Sequence, residues 1–337
     1  MALSKIQLTE NIGRKNLVIN GAMQVAQRGQ ATGVAIGYGG ADRFQFASSG
    51  ATRVALSQGT MGANVGSGFR NSQRVNCTTE ETSLAAGDYA MIRTKIEGQD
   101  LQHLLYGTSS AKKLTLQFWV RSPKTGIHVA ELYHGDANYY NSRQYTIAAA
   151  DTWQKVTLTF DGYQTTALDN DNGIGIQIAW WLAAGDTYSS GTHTDNSWHN
   201  TPANRAVGQV NCMDDTSNNF YFTGVQLEVG ETATDFEHRS VGEELTLCQR
   251  YYQLFSSGGA GTATASSQSA SAQSAVQFAT QMRDIPNITV GATSATSNTS
   301  SVSVASITAH GCRCSASASA TGRQYWFVQT NIAEKEL

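Results

Sequence analysis

The sequence is poor in charge, in proline and in long hydrophobic runs. Charged residues make up 15% of the 337 residues, there are only 3 prolines, and the formal net charge is −3. A protein dedicated to nucleic acid needs a dense cationic surface, so this balance argues against nucleic acid as a partner. No stretch approaches about 18 consecutive apolar residues, so we expect no membrane insertion. Residues 1–10 lack the apolar core of a secretory signal.

Cysteine is also scarce, and its spacing excludes the common cysteine sites. The five cysteines are an odd number and form no C-x-x-C pair: they are Cys77, Cys212, Cys248, Cys312 and Cys314. Tetrahedral zinc sites need paired ligands at short spacing, so we expect none here. We predict five reduced thiols in a protein made in a cytosol.

The sequence contains none of the common enzyme signatures. There is no G-x-S-x-G, no P-loop, no H-E-x-x-H, and no G-x-G-x-x-G ahead of a helix. The long repeats of a β-helical depolymerase are absent as well. We therefore predict that the protein is not an enzyme, and keep polysaccharide cleavage as the least favoured alternative.

Short strands dominate what is present. Apolar residues alternate with polar ones in Leu114–Val120, Lys155–Phe160 and Gly173–Trp180, and clusters of Gly, Asn and Asp separate these runs. Such alternation is typical of half-buried strands. Many short strands with these turns favour an all-β jelly-roll sandwich.

One strand carries a change of phase. Phe220 and Phe222 share one face, whereas Val225 and Leu227 share a face that is out of register with them by one residue. A β-bulge near Thr223-Gly224 would return both sets to the core, because glycine tolerates the bend. We predict one long bulged strand here.

The composition changes after this strand. Residues 243–252 have helical spacing, with acids at the start and Arg250 near the end, as the helix dipole favours. We therefore divide the chain into four parts. They are an N-terminal attachment segment (1–14), a jelly-roll β-sandwich (15–238), a helical linker (239–253) and a small C-terminal β domain for trimerisation or as a tip (254–337).

The C-terminal part has few charges and few large apolar residues. We expect a loop at Gly258–Gly261 and strands beyond it. Such a small domain has a marginal core, and its low-charge strands risk edge-to-edge aggregation. Packing of identical subunits resolves both problems, so we predict an obligate homotrimer. A low-complexity tail is the alternative, although Tyr325, Trp326 and Phe327 argue against it.

Two stretches are specific enough to suggest a family. The first is Lys15–Gly29 followed by Gly40–Phe44, and the second is Thr223–Gly230 followed by Ala233–Arg239 and Glu243–Tyr252. Together they resemble bacteriophage tail-fibre and related virion proteins. The resemblance implies a jelly-roll domain similar to carbohydrate-binding modules, then a short helix and a small β domain. It also implies a virion protein that is assembled in the host cytoplasm.

A long polar loop at residues 189–219 is the first candidate binding site. Trp198 offers an aromatic face for a sugar ring, and His193, Asp195 and His199 offer hydrogen bonds. The same histidines and aspartate could ligate a metal, although their spacing matches no standard site. Burial of the loop in a contact between subunits or virion proteins is the structural alternative.

A second candidate is the Tyr- and Asn-rich segment around Tyr139 and Tyr140, a composition found in adaptable binding surfaces. Its alternative is a strand–turn–strand whose tyrosines line the sandwich. Trp180 and Trp181 are adjacent and face opposite sides of a strand. We expect one in the core, and take Trp181 as the one that is either covered by a loop or exposed to ligand.

No cofactor follows from these residues with certainty. The oxygen-rich runs at residues 169–172 and 214–215 leave a structural calcium ion open, although neither forms an EF-hand-type loop. The metal therefore stays unknown.

The combined pattern predicts a homotrimeric tail-fibre protein that attaches a virion to a host-surface glycan, with other virion tail proteins as partners. Linked weak sites gain about 10²–10⁴ in avidity when they engage together. The alternative is a purely structural capsid, neck or tail component.

Overall fold

The computed structural model describes residues 14–60, 68–263, 271–319 and 322–337. The chain divides into two compact units between Arg239 and Ser240. The expected N-terminal attachment segment lies outside the described residues, apart from Arg14. In the described parts of the chain, no helix is both long and apolar enough to cross a membrane.

The first unit is built almost entirely of strands. In chain order these are β1 (Ala31–Val34), β2 (Ile36–Tyr38), β3 (Gln45–Ser48), β4 (Arg53–Thr60), β5 (Asn71–Thr79), β6 (Tyr89–Glu97), β7 (Leu114–Arg121), β8 (Gly126–His134), β9 (Tyr139–Ile147), β10 (Gln154–Phe160), β11 (Ile174–Ala184), β12 (Trp198–His199) and β13 (Asn219–Val229). One helical turn, α1 (Asp186–Ser189), follows β11, and short 3₁₀ turns occupy residues 98–100, 102–104 and 202–204.

These strands form two antiparallel sheets. One has the order β1-β4-β5-β13-β7-β10, and the other has the order β12-β9-β8-β11-β6-β3-β2. The chain passes back and forth between the sheets, so the late strand β13 lies between β5 and β7, and β11 lies between β8 and β6. This connectivity is of the jelly-roll type and confirms the predicted all-β sandwich.

One hydrophobic core fills the space between the sheets. Alternate residues of β7, β10 and β11 point into it, including Phe118, Phe160 and Trp180, which are all fully buried. The Trp180 ring stacks on Phe222 with ring centroids 5.0 Å apart. The period-2 pattern therefore located these strands and their buried faces correctly.

The predicted bulge in β13 is confirmed. The pairing of β13 with β7 shifts between Thr223 and Gln226, and Gly224 lies there with φ +62°. Phe222 and Val225 are both fully buried as a result. A Cβ at residue 224 would also approach the Phe69 ring within 2.7 Å, so the site favours glycine for two reasons.

The two ends of the sandwich meet through polar contacts. Glu237 accepts hydrogen bonds from the backbone N–H groups of Lys15 at 3.2 Å and Asn16 at 2.7 Å. The Asn16 side chain accepts from Leu227 N and donates to Val225 O. The parts of these stretches that lie in the first unit are therefore adjacent in space, and their contacts are structural.

The second unit has one helix and two further sheets. Its elements are α2 (Val241–Gln249), β14 (Tyr252–Ala263), β15 (Ser271–Gln277), β16 (Asn287–Thr289), β17 (Thr293–Ser297), β18 (Thr299–Thr308), β19 (Gly311–Ala318) and β20 (Gly322–Glu334). The N-cap hydroxyl of Ser240 accepts from Glu243 N, which starts the helix. β20 pairs with β14, β16 and β17, whereas β19 lies between β15 and β18.

One loop prediction in this unit is wrong. Residues 258–261, expected to form a loop, lie within β14 and pair with residues 324–327 of β20. At Gly258 the side chain of Phe327 takes the space of a Cβ, which would lie 2.8 Å from its ring. Glycine is required here because a neighbour on the paired strand fills the side-chain space, and not because the backbone turns.

The core of the second unit is small. It contains Trp326 and Val328, with Cys312, Cys314 and Ala316 among its smaller members. Leu254, Ile285, Tyr325 and Phe327 remain between 40% and 56% exposed. Within this chain, these four side chains thus remain about half uncovered.

All five cysteines are buried thiols, and none forms a disulfide. The Sγ atoms of Cys312 and Cys314 lie 3.9 Å apart on one face of β19. Burial raises the pKa of Cys77 to about 11 and that of Cys212 to about 12. At neutral pH both are therefore protonated thiols, which are poor nucleophiles and poor metal ligands.

Candidate functional site

The outer face of the sheet that contains β6, β8, β9 and β11 carries a groove. Outward positions in these strands alternate with the buried ones that fill the core. The pairing sets Tyr140 opposite Tyr133, Tyr133 opposite Gln177, and Gln177 opposite Lys95. One row of tyrosine, glutamine and lysine side chains thus runs across four strands.

The groove consists of two adjoining cavities of about 270 and 150 Å³. Both are lined by Arg93, Gln177 and Arg205. The first is completed by Lys95, Tyr133, Tyr140 and Ile174, and the second by Tyr89, Met91 and Tyr188. We refer to this combined surface as the sheet groove.

Two tyrosines form the aromatic wall of the sheet groove. The rings of Tyr133 and Tyr140 are nearly parallel, with centroids 5.2 Å apart and an interplanar angle of 26°. The Arg205 guanidinium lies 3.8 Å from the centre of the Tyr140 ring. Since both rings are only half-buried, the pair gives the groove an apolar face between polar groups.

Arg205 is held in place by a buried carboxylate. Its Nε and Nη2 atoms donate to the two carboxylate oxygens of Glu131 at 3.0 and 2.7 Å, and the Glu131 side chain is fully buried. The same guanidinium lies 5.0 Å from the Trp181 ring centre and 5.7 Å from that of Tyr188. A bidentate, aromatic-stacked arginine is a rigid element of the wall.

The structure places some of the seven predicted site residues at or beneath the sheet groove and the others away from it. Tyr140 lines the sheet groove, and the His199 ring lies beside it with centroids 6.1 Å apart. Burial lowers the pKa of His199, which favours its neutral form. Trp181 is fully buried beneath Arg205, so a role as an exposed platform is wrong and the alternative of a covered ring holds.

The other predicted residues lie in a separate packing cluster. The Trp198 indole donates to Asp161 O at 2.7 Å and packs on Tyr163, which also contacts Tyr139. Asp195 pairs with Arg143 at 2.9 Å and lies 3.6 Å from His193. The structure does not bring these four residues to the sheet groove, and glycan binding by them stays a prediction.

Neither acidic run presents an assembled metal site. Asp171 accepts from Gly173 N at 2.8 Å, and Asp214 pairs with Lys124 and accepts from the Asn218 side chain at 2.7 Å. Among the described residues, no group of three or more His, Cys, Asp or Glu side chains could hold a metal ion.

A cavity of about 300 Å³ lies on the outer face of the other sheet, next to Trp119 and Lys155. It is closed in part by Phe69, Phe236 and His238, whose rings pack with centroids 4.8 to 5.3 Å apart. These contacts attach residues 233–239 to that sheet, so we assign the cavity to structural packing.

Sequence reasoning missed most of the groove. Arg93 and Lys95 alternate with the buried Ile92, Thr94 and Ile96 in β6, so their outward direction was readable from the period of two. Their neighbours in β11 lie about 80 residues further along the chain, and Arg205 comes from a loop. Only the pairing of distant strands brings these groups together.

No protein-family model matches this chain, and no curated protein matches it in sequence. Solved structures do resemble it. A tailspike protein 4 enzymatically active domain of bacteriophage CBA120 is 12% identical with a TM-score of 0.35, covering 64% of this chain and 21% of the tailspike chain. This chain thus spans about a fifth of that tailspike's length.

Carbohydrate-binding domains also resemble it. A family 11 carbohydrate-binding module from Clostridium thermocellum, solved with a mixed-linked β-1,3-1,4 tetrasaccharide, is 12% identical with a TM-score of 0.30, covering 61% of this chain and 98% of that one. The N-terminal cellulose-binding domain of a Cellulomonas fimi β-1,4-glucanase is 15% identical with a TM-score of 0.26, covering 48% and 80%. At such identities, function has to be argued from the residues of the sheet groove.

Proposed function

We propose that the protein binds glycans in the sheet groove. The observation that carries this proposal is the stacked pair Tyr133 and Tyr140 beside the directional polar groups of Gln177 and Arg205. Aromatic faces pack against the apolar C–H surfaces of sugar rings, and a few fixed polar groups orient the hydroxyls. The groove crosses several strands, a shape that suits an extended oligosaccharide.

Tyr133 is the ring that we expect to contact sugar, because Arg205 already covers Tyr140. Burial raises the pKa of Tyr133, so its hydroxyl remains protonated and can donate a hydrogen bond. The described residues that line the groove include no Asp or Glu. Most glycoside hydrolases need a pair of carboxylates, so we favour binding over cleavage.

The test is titration of the full chain against an array of bacterial surface glycans. Tyr133→Ala should weaken binding about 10- to 100-fold, since it removes the exposed stacking surface. Tyr221→Ala is the matched control, because Tyr221 is also half-buried and outward-facing but lies on the other sheet, beside Arg121. Equal binding by the wild type and Tyr133→Ala would remove the groove as the site.

For the whole protein, we propose a homotrimeric virion tail fibre that attaches to the host surface. Support comes from the two sequence stretches that resemble tail-fibre proteins and from the exposed Tyr325 and Phe327 of the second unit. A second copy covering these side chains would remove apolar surface from water. Three linked grooves would then raise avidity.

The trimer is tested by light scattering of the purified chain. We expect a mass three times 36.1 kDa, and Tyr325→Ser with Phe327→Ser should shift it toward the mass of the single chain. Ser301→Ala, on an exposed strand position, is the control. A compact, stable single chain at working concentrations would contradict the trimer while leaving glycan binding intact.

A further inference from the structure

Positive charge dominates the lining of the sheet groove. Arg93, Lys95 and Arg205 all face it, and the described residues that line it include no Asp or Glu. Arg93 and Arg205 differ in what lies around them. The charge available to a ligand therefore depends on which of them is already neutralised within the protein.

Arg205 is neutralised. Both carboxylate oxygens of Glu131 accept from its guanidinium, and that carboxylate is fully buried. A second anion would have to compete with a bidentate pair and with the stacking of Arg205 on Tyr140. Arg205 thus forms part of the groove wall, and its charge is already neutralised by Glu131.

Arg93 is in a different position. Its Nε donates to the side-chain oxygen of Gln45 at 2.8 Å, which is a neutral acceptor. Throughout the described residues, no carboxylate pairs with the Arg93 guanidinium. Burial, the largest influence, and the nearby Arg205 both lower the pKa of Arg93, whereas Tyr89 and Tyr38 raise it. A half-buried guanidinium that has only a neutral acceptor among the described residues favours an incoming anion.

We propose that the sheet groove selects glycans that carry negative charge, with the anionic substituent placed at Arg93 and the sugar ring against Tyr133. This inference rests on the proposed glycan binding. The shared chemistry is a carboxylate or a sulfate ester on a sugar, both of which match the planar donors of arginine.

Charge-assisted hydrogen bonds of this kind are roughly twice as strong as neutral ones. An anionic oligosaccharide should therefore bind about 10- to 100-fold more tightly than its neutral counterpart. The preference should shrink as salt rises, because the groove is open to solvent and its charges are screened.

The experiment is calorimetric titration of the full chain with two matched pairs of probes. One pair is an oligogalacturonate and its methyl ester, and the other is a sulfated galactan oligosaccharide and its desulfated form. We expect at least one anionic member to bind about 10-fold or more tightly than its neutral partner. The pair that shows the preference identifies the substituent.

Variants assign the preference to Arg93. Arg93→Gln should abolish the preference by weakening the binding of the anionic probes, and Arg93→Lys should retain part of the preference. Arg121→Gln is the matched control, since Arg121 faces outward from the other sheet and pairs with Asp151. Circular dichroism confirms that each variant is folded. If Arg93→Gln does not fold, loss of the wild-type preference at high salt and its retention in Arg93→Lys carry the test.

The outcomes separate this inference from the proposed function. Equal binding of anionic and neutral partners in both pairs would overturn the charge selection and leave glycan binding standing. A preference that survives in Arg93→Gln would overturn the role of Arg93. Absence of binding to all four probes would count against the charge selection and against the groove as a glycan site.

Discussion

The two outer faces of the sandwich both carry polar side chains, but they differ in what covers them. On the sheet containing β7 and β13, Gln117 and Gln226 face outward and are buried by residues 234–237, with which they exchange hydrogen bonds. On the sheet containing β6 and β11, Tyr133 and Arg93 border an open groove. An outward polar residue that another segment of the chain buries therefore has a structural role, whereas one that borders an open groove is available to a ligand.

The largest effect that tests this contrast is on the covered face. Glu237→Ala removes the acceptor of two backbone N–H groups and the carboxylate next to Arg239, whose side chain is only 3% exposed. We expect a loss of about 3 kcal/mol in the free energy of unfolding of the sandwich. Urea titration followed by tryptophan fluorescence measures it.

Two variants calibrate that result. Glu231→Ala breaks an exposed pair with Lys113 and should cost less than about 1 kcal/mol. Tyr133→Ala on the open face should also change stability by only about 1 kcal/mol, because its ring is half-exposed. A cost for Tyr133→Ala as large as that for Glu237→Ala would erase the distinction between the two faces.

Acid should also destabilise the sandwich, through a histidine that is buried between the two sheets. Burial lowers the pKa of His128 from 6.5 to about 4, with its ring stacked on Tyr145 and hydrogen-bonded to Lys124 O at 3.1 Å. The unfolded chain takes up this proton below pH 6.5, whereas the folded chain does so only near pH 4. Stability is therefore complete above pH 6.5 and falls as the pH drops toward 4, by up to about 3 kcal/mol.

Unfolding by urea at pH 7.5, 5.5 and 4.5 measures this loss. Burial also lowers the pKa of His134, which adds to the effect in the same direction. His128→Gln should flatten the profile, although the lowered pKa values of His103, His134 and His199 leave a residual slope. A wild-type profile that is flat from pH 7.5 to 4.5 would contradict the buried, neutral state of His128.

The fold was predictable where the information is local. The alternation in Leu114–Val120 located β7, and the phase change at Thr223-Gly224 located the bulge, because side chains in a strand have a strict period of two. The strand at residues 258–261 was missed because the space beside Gly258 is filled by Phe327, a neighbour far along the chain. Glycine alone does not distinguish a turn from a crowded strand.

The groove was much less predictable. The Tyr- and Asn-rich composition of its segment predicts Tyr140, which does line the groove. The long polar loop predicts Trp198 and His193, which lie elsewhere. What sets the groove is the pairing of β11 with both β6 and β8, which places Gln177 between Lys95 and Tyr133. Such non-local register is not encoded in any single stretch of residues.

The clasp between Lys15, Asn16 and Glu237 has a mechanical consequence. Because these residues join the first and last segments of the sandwich directly, a pull applied between Lys15 and Arg239 loads a few hydrogen bonds in parallel before it reaches either sheet. A force along the polypeptide would then act on these hydrogen bonds and not on the strands that shape the groove. The sheet groove would keep its structure while the protein is under load.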